Sequence, residues 1–473
     1  MDSLLILVPL FSLMVLNLAF QKAMKRIAFG WAVFLVLAQV CLALLPSASF
    51  WSSPINLFSG LFKFDLGVDA LSLLLLLCIG IVSFVTLLVA RAMIQDPDRR
   101  FNFINLVLFS LIGMNGVALV KDIFSLYVFM EISAAVSFIM IAFDKDRLAF
   151  EGAFKYLIFS VIATVLMLSA IGLLLFISGS TSFVVIRDAI MDAGRSNMVI
   201  FAIAIFLCGL FIKSGIMPFH GWLPDAYSAA PAAVSVFLAG IVTKALGVYS
   251  LIRVVYYVFG LSSSLQVFLL AIGAVSVVLG SLCALTQTNM KRMFAYSSIS
   301  QVGYIILGLG SGSVLGLAGA MFHFFNHAVF KSLLFVNCAA IEKQAGTTDM
   351  DKLGGISKSM PFTAITNLLA SLSISGVPPL AGFWSKLVIV VALFISGHYI
   401  YAVIAVLASL LTLAYMLSVQ RNIFWGGQPV QGLKEAGFWL ILPEALLAFI
   451  TVGVGLAFPL LINSIILPIL KLN

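Results

Sequence analysis

Apolar residues run along this chain in long blocks separated by short polar segments, and the length of the blocks, more than any finer periodicity, predicts the elements. About fourteen such runs, each of roughly 18 to 25 residues, fit between Leu4 and Leu470 and are long enough to cross the hydrocarbon of a bilayer. A chain inside lipid must satisfy its backbone donors and acceptors within the segment, so the runs are helices. They are predicted near 3–19, 25–46, 69–92, 102–120, 122–144, 153–178, 197–217, 231–257, 264–286, 294–310, 313–341, 361–396, 400–424 and 437–468. The stretch from Thr181 to Arg195 is too short and too charged to span, and is expected to lie along the surface. The expected fold class is therefore all-α: one polytopic integral membrane domain over residues 1–473, with no room for a soluble catalytic or nucleotide-binding domain.

Composition sharpens this. Hydrophobic residues make up 63% and charged residues 9%, against about 25% charged in soluble globular proteins. The opening Met1-Asp2-Ser3 has no lysine or arginine and no small-residue cleavage site follows, so the first run is expected to be a retained span. About fifteen lysines and arginines fall in the odd-numbered connections, including Lys22, Lys25, Arg26, Arg91, Lys291 and Arg292; about six, Lys63, Lys121, Arg187, Arg195, Arg253 and Lys471, fall in the even ones or at the C-terminus. That bias puts the odd loops in the cytoplasm and both termini on the non-cytoplasmic side of a cell inner membrane. The net charge of +8 then reflects topology, and no nucleic-acid partner is implied. Cys41, Cys78, Cys208, Cys283 and Cys338 are scattered one to a run, so no disulfide frame, iron–sulfur cluster or other cofactor is expected.

Two runs are interrupted in the same way, about 160 residues apart. The first reads Lys213-Ser214-Gly215-Ile216-Met217-Pro218-Phe219-His220-Gly221-Trp222, and the second Ser375-Gly376-Val377-Pro378-Pro379-Leu380-Ala381-Gly382-Phe383-Trp384-Ser385-Lys386. Glycine loosens a helix and proline removes a backbone donor, so Gly215 and Pro218, then Gly376, Pro378 and Pro379, are expected to break the seventh and twelfth helices. Five helices separate the breaks, and an odd separation reverses the direction of insertion. Two inverted five-helix repeats are therefore expected, at approximately 102–257 and 264–424.

Ionisable residues inside the runs carry the candidate chemistry. Lys155, Lys213, Lys244, Lys331, Lys386 and Glu131 are costly in lipid and point to a shared polar axis. Glu131 has no cation within a turn on its own helix, so its partner comes from another, and Lys213 is the choice. Such a pair is either a structural tie between helices or, if it opens and closes, a trigger for proton release. His323, His327 and Lys331 recur at i, i+4 and i+8, a single stripe suited to proton hopping. H-x-x-x-H can also hold a metal, but no carboxylate completes a ligand set, and a bis-imidazole haem site is equally thin, so no metal is assigned. Hydrogen-bonded structural histidines are the plain alternative. Lys244 is too deep to snorkel and would bridge the two halves. His220 and Asp225, on the loop side of the first break, could collect a proton or cap a helix, and Lys155 near a helix start is a weaker connecting site. Glu444 after Pro443 is expected at the interface.

These residues resemble the antiporter-like membrane subunits shared by respiratory complex I, Mrp cation/proton antiporters and membrane-bound energy-converting hydrogenases. The stretch from Lys213 through Pro218-Phe219-His220-Gly221-Trp222-Leu223-Pro224-Asp225-Ala226-Tyr227 to Ala230-Pro231, Val234-Ser235 and Thr243-Lys244 carries most of the likeness; Phe129 to Glu131, Asn326-His327-Ala328-Val329-Phe330-Lys331 and the second break add to it. The resemblance implies a proton-transfer axis through Glu131, Lys213, Lys244 and Lys386, with His327 and Lys331 connecting. It also implies other membrane subunits as partners, peripheral redox subunits in some complexes, and protons, with sodium as the exchanged ion in others. Met130 stands where many members have tryptophan. The chain ends soon after the fourteenth run, without the long lateral helix of the largest complex I member, and so resembles the shorter members of the Mrp (D-type) and hydrogenase complexes. Any redox catalysis would reside in partners. A stand-alone secondary transporter of a small metabolite is the competing class, and it would need convergent polar groups at the breaks. A haem enzyme and a purely structural scaffold rank behind it.

Overall fold

The computed structural model describes residues 3–18, 21–45, 65–194, 196–426 and 432–461. Lys63, Arg195, Lys471, the side chain of Lys22 and the end of the last apolar run lie outside the described residues. The helices are α1 Leu4–Leu18, α2 Gln21–Leu44, α3 Ala70–Met93, α4 Pro97–Leu119, α5 Ile123–Ile141, α6 Arg147–Ser178, α7 Phe183–Asp192, α8 Asn197–Ser214 and α9 Leu223–Ala229. They continue as α10 Ala232–Phe259, α11 Ser263–Leu285, α12 Met290–Gly310, α13 Val314–Ala345, α14 Pro361–Ser375, α15 Ala381–Ile395, α16 Tyr399–Trp425 and α17 Phe438–Leu461. Among the described residues only isolated bridges, such as Leu66 with Val120, interrupt the all-helical pattern. Among the described residues twelve helices are long and apolar enough to cross a membrane, and α1 and α15 are apolar but shorter.

Several helices begin before the apolar runs do. Asp96 caps α4 at the Asp98 N–H, Asp146 caps α6 at Ala149, and Asn289 caps α12 at Arg292. A side-chain oxygen there satisfies one of the orphan donors of the first turn, so the helix starts at the cap, in polar sequence that hydropathy alone assigns to a loop. The charged stretch after Ser182 forms the short helix α7, whose 10 residues are too few to span.

Both breaks appear as glycine terminations. Gly215 ends α8 at φ 64° and Gly376 ends α14 at φ 82°, the left-handed conformation in which only glycine avoids a Cβ clash. The run over 361–396, expected to be broken at Gly376, Pro378 and Pro379, is two half-helices, α14 and α15, because the chain reverses hand at Gly376 and then runs into the two prolines. The Met217–Pro218 and Pro378–Pro379 bonds are cis.

Two compact units make up the chain. The first comprises Met1–Leu87, Ile94–Gly215 and Ile241–Leu261, and the second Leu88–Met93, Ile216–Gly240 and Ser262–Asn473. In the first, α6 packs on α8 and α4 on α5. The second is built on α12 against α11 and α13, with α13 also meeting α14, α15 and α17; Leu270, Val277, Leu307, Ile389 and Leu393 form one of its apolar cores. Helix α10 is buried except at Tyr256 and Tyr257, which are partly exposed, and passes through π-helical turns at Leu238–Val242, Lys244–Tyr249 and Val255–Phe259. Gly247 makes the fit with α8 possible: a Cβ there would lie 2.4 Å from the Cα of Ser214.

Three assignments are corrected. Arg253 and Lys291, counted with the loops, are buried in α10 and α12. Glu444, expected at the interface, is 0% exposed. In each case a partner on another helix holds the side chain inside, and hydropathy along a single segment carries no sign of it.

Candidate functional site

In the first unit, α5, α6 and α8 converge on one amine. Lys213 stands in the last turn of α8, two residues before Gly215, where a cation also meets the negative end of the helix dipole. Its Nζ donates to Glu131 Oε1 at 2.9 Å and to Ser160 Oγ at 2.7 Å. The lysine side chain is 1% exposed and that of Glu131 29%, so the carboxylate is the side of the pair with room to move. Lys244, buried on the π-helical turn of α10, has Cys78 of α3 nearby. The close approach of Gly247 to Ser214 brings the turn carrying Lys244 against the end of α8 that carries Lys213.

Further along α10 lies an ionic cluster. Both oxygens of Asp69, just ahead of α3, accept from the Arg253 guanidinium, and Lys121 donates to Oδ2 at 2.6 Å. Arg253 also donates to Tyr249 Oη at 2.6 Å, and Tyr249 donates to the Ala118 carbonyl at 2.9 Å. Burial would push the Asp69 carboxyl up, but the Arg253 hydrogen bonds and charge, joined by Lys121, outweigh it and hold the group well below the ordinary carboxylate range.

In the second unit the stripe on α13 points toward α12 and α15. Lys331 Nζ donates to the Phe294 carbonyl at 2.7 Å and to Ser297 Oγ. The rings of His327 and His323 lie nearly parallel, 12° apart with centroids at 6.3 Å. His323 Nδ1 is 2.9 Å from Ser385 Oγ, and its ring is 5.7 Å from that of Tyr304. Lys386 Nζ sits 4.3 Å over the same Tyr304 ring, a cation–π contact, and has no hydrogen-bond partner among the described residues. Lys331, His327, His323 and Lys386 thus form one polar column inside this unit. Asn326 Nδ2 donates to the Ala381 carbonyl at 2.9 Å and pins the start of α15 beneath it.

The residues after the first break form a separate group in the second unit. Asp225 on α9 accepts from Arg292 on α12. His220 is half-buried with its ring 6.2 Å from Tyr296, over which Arg292 also lies. Lys291 is bonded to Glu342 at 2.9 Å and to the Ala230 carbonyl at 3.2 Å. Lys155 is not brought into any of these sets: it is partly exposed on α6 and paired with Glu151 at 2.7 Å.

Ser160, Ser297, Tyr304 and Ser385 carry no signal in the sequence that marks them as members of a site. Single hydroxyls in apolar runs look the same whether they bond their own backbone, as Thr164 does to Ser160, or reach a lysine on a neighbouring helix. For Arg253 a signal exists, since it lies nine residues from Lys244 in the same run.

Residues 120–412 match the model of the family described as NADH:quinone oxidoreductase/Mrp antiporter, transmembrane. The chain is 34% identical over 405 residues to NADH-quinone oxidoreductase subunit N of Desulforudis audaxviator, covering 83% of this chain and 80% of that one. It is 30% identical over 411 residues to the D-type component of the Na(+)/H(+) antiporter of Alkalihalophilus pseudofirmus, covering 86% and 82%. Its fold matches a chain of the Mrp complex from Dietzia sp. DQ12-45-1b with a TM-score of 0.90 at 24% identity, over 99% of this chain and 96% of that one.

Proposed function

The chain belongs to the NADH:quinone oxidoreductase/Mrp antiporter transmembrane family, and from that premise we propose that Glu131, Lys213, Lys244, His327, Lys331 and Lys386 move protons through it. It is a multi-pass membrane protein and an antiporter-like subunit of a multisubunit membrane complex, with other membrane subunits as partners. Sodium exchange and peripheral redox partners belong to the same reading, as do a place in the inner membrane with both termini outside the cytoplasm and an inverted-repeat relation between 102–257 and 264–424. The shared left-handed glycine and following prolines of the two breaks support that relation.

The observation that carries the proposal is the Lys213 amine held by Glu131 and Ser160. A buried ammonium is tolerated while its carboxylate is close and becomes costly when the carboxylate leaves. Opening the pair drives the proton off Lys213, and closing it draws a proton on. His220 and Asp225 lie on the loop side of the first break and serve as uptake sites, with His323 as an added link in the second column. Lys213→Ala, Lys244→Ala or Lys386→Ala, each in the assembled complex in proteoliposomes, should lower proton transport by about a hundredfold, the scale of losing a positioned proton-transfer group. The composition of the complex should stay unchanged. Normal transport in all three variants would overturn the proposal, and uptake of a metabolite by the purified single chain would favour the stand-alone transporter.

A further inference from the structure

The face of α14 that turns inward is polar for its whole length. Thr363, Thr366, Asn367, Ser371 and Ser375 recur at helical spacing, all buried, and end at Gly376, where a Cβ would meet Lys386 Cδ at 3.2 Å. The stripe therefore leads from the start of α14 to the amine at the break.

Its outer end carries two carboxyls around one hydroxyl. Thr363 Oγ1 is 2.8 Å from Glu435 Oε1 and 3.3 and 3.2 Å from the two oxygens of Glu444. A threonine hydroxyl has one hydrogen to donate, so the second contact needs a proton on an acid. The Phe362 and Ala436 N–H groups donate to Glu435 at 2.7 and 3.1 Å, as to an anion, which leaves the shared proton with Glu444. From α13, Asn337, oriented with its amide nitrogen toward the acid, donates to Glu444 at 3.2 Å, and from α14 Thr366 lies 3.4 Å away. No ion pair reaches Glu444 among the described residues: the charge facing it is Glu435. Further along the stripe, Gln420 Nε2 donates to Asn367 Oδ1 at 2.8 Å and to Ser371 Oγ at 3.2 Å. Asn367 Nδ2, Gln420 Oε1 and Lys386 Nζ are buried with no hydrogen-bond partner among the described residues. Orphaned donors and acceptors of this kind in a polar channel are the groups that a file of water satisfies.

We propose that the polar face of α14 is a proton access route to Lys386, loaded at Glu435 and gated by Glu444. It rests on the proton-transport reading above and adds a port that the Lys213 set does not provide. In each step Glu444 releases its proton along the hydrated stripe, becoming a carboxylate while the neutral Lys386 amine becomes ammonium. Glu435, the anion at the outer end, then takes a proton from water; Thr363 accepts that proton and passes its own to Glu444, so Glu444 is protonated again and Glu435 returns to its carboxylate form.

The test is Glu444→Gln and Glu435→Gln in the assembled complex in proteoliposomes, beside Lys386→Ala. Glu444→Gln should cut proton transport by about a hundredfold, Glu444→Asp should restore part of it, and Glu435→Gln should slow it less. Wild-type transport by Glu444→Gln with Lys386→Ala inactive would overturn the route alone; wild-type transport by Lys386→Ala would overturn both the route and the place of Lys386 in the wider reading, which falls as a whole only if Lys213→Ala and Lys244→Ala also transport normally. Infrared spectra of the purified complex give a check that does not depend on transport. The carbonyl stretch of a protonated, buried carboxylic acid should disappear in Glu444→Gln, and its persistence there would overturn the assignment of the shared proton.

Discussion

Arg253 and Asp69 show how much a single residue's environment decides. Hydropathy places the arginine with the loop charge, yet it is buried in α10 with both terminal guanidinium nitrogens donating to Asp69. Removing one partner of such a pair leaves the other charge unmet, so Arg253→Ala should lower stability by about 3 kcal/mol, read as a drop in melting temperature of the purified protein in detergent. Because the folded state depresses the Asp69 carboxyl, its contribution is present at neutral pH and is lost as pH falls below about 4. The gap between wild type and Arg253→Ala should therefore narrow in acid, and a gap independent of pH would argue against the pair. By contrast the Glu131–Lys213 contact was anticipated, because Glu131 has no cation within a turn on its own helix and needs an amine from another run. Ser160, the third member, was not: a serine carries no charge that demands a partner.

At the scale of elements, helix existence followed from the apolar runs and helix boundaries did not. The caps at Asp96, Asp146 and Asn289 lie outside those runs, and a cap is a local hydrogen bond that hydropathy does not weigh. The breaks were legible as positions, since the same glycine–proline punctuation beside a lysine recurs in two runs, but the division of one long run into α14 and α15 was decided by the left-handed turn at Gly376. Gly376→Ala should cost roughly 1–2 kcal/mol for that backbone conformation. The added Cβ also faces Lys386 at 3.2 Å, so the same variant should slow transport more than its loss of thermal stability predicts; unchanged transport would separate the turn from the function of the amine. The π-helical turns of α10 had no sequence signal, because they arise where a buried helix fits around neighbours such as Ser214.

For the whole molecule, large apolar side chains remain on the outside, among them Phe11, Phe154, Phe176, Ile400 and Phe449. In a membrane protein of this family such faces meet lipid or companion subunits. Affinity purification under mild detergent should bring down other membrane subunits with the wild type and with Lys213→Ala alike, since the lysine is buried and touches no outer face; recovery of the chain by itself would contradict its place in a complex. The sequence alone determined that this is a helical membrane protein with two broken helices and ionisable groups in lipid-length runs, because the cost of burying charge and of unpaired backbone is paid residue by residue along the chain. Which acid meets which amine, that Arg253, Lys291 and Glu444 lie inside, and that a polar stripe on α14 leads to Lys386 were decided only by tertiary structure, since each depends on a partner far away in sequence and brought near by helix packing.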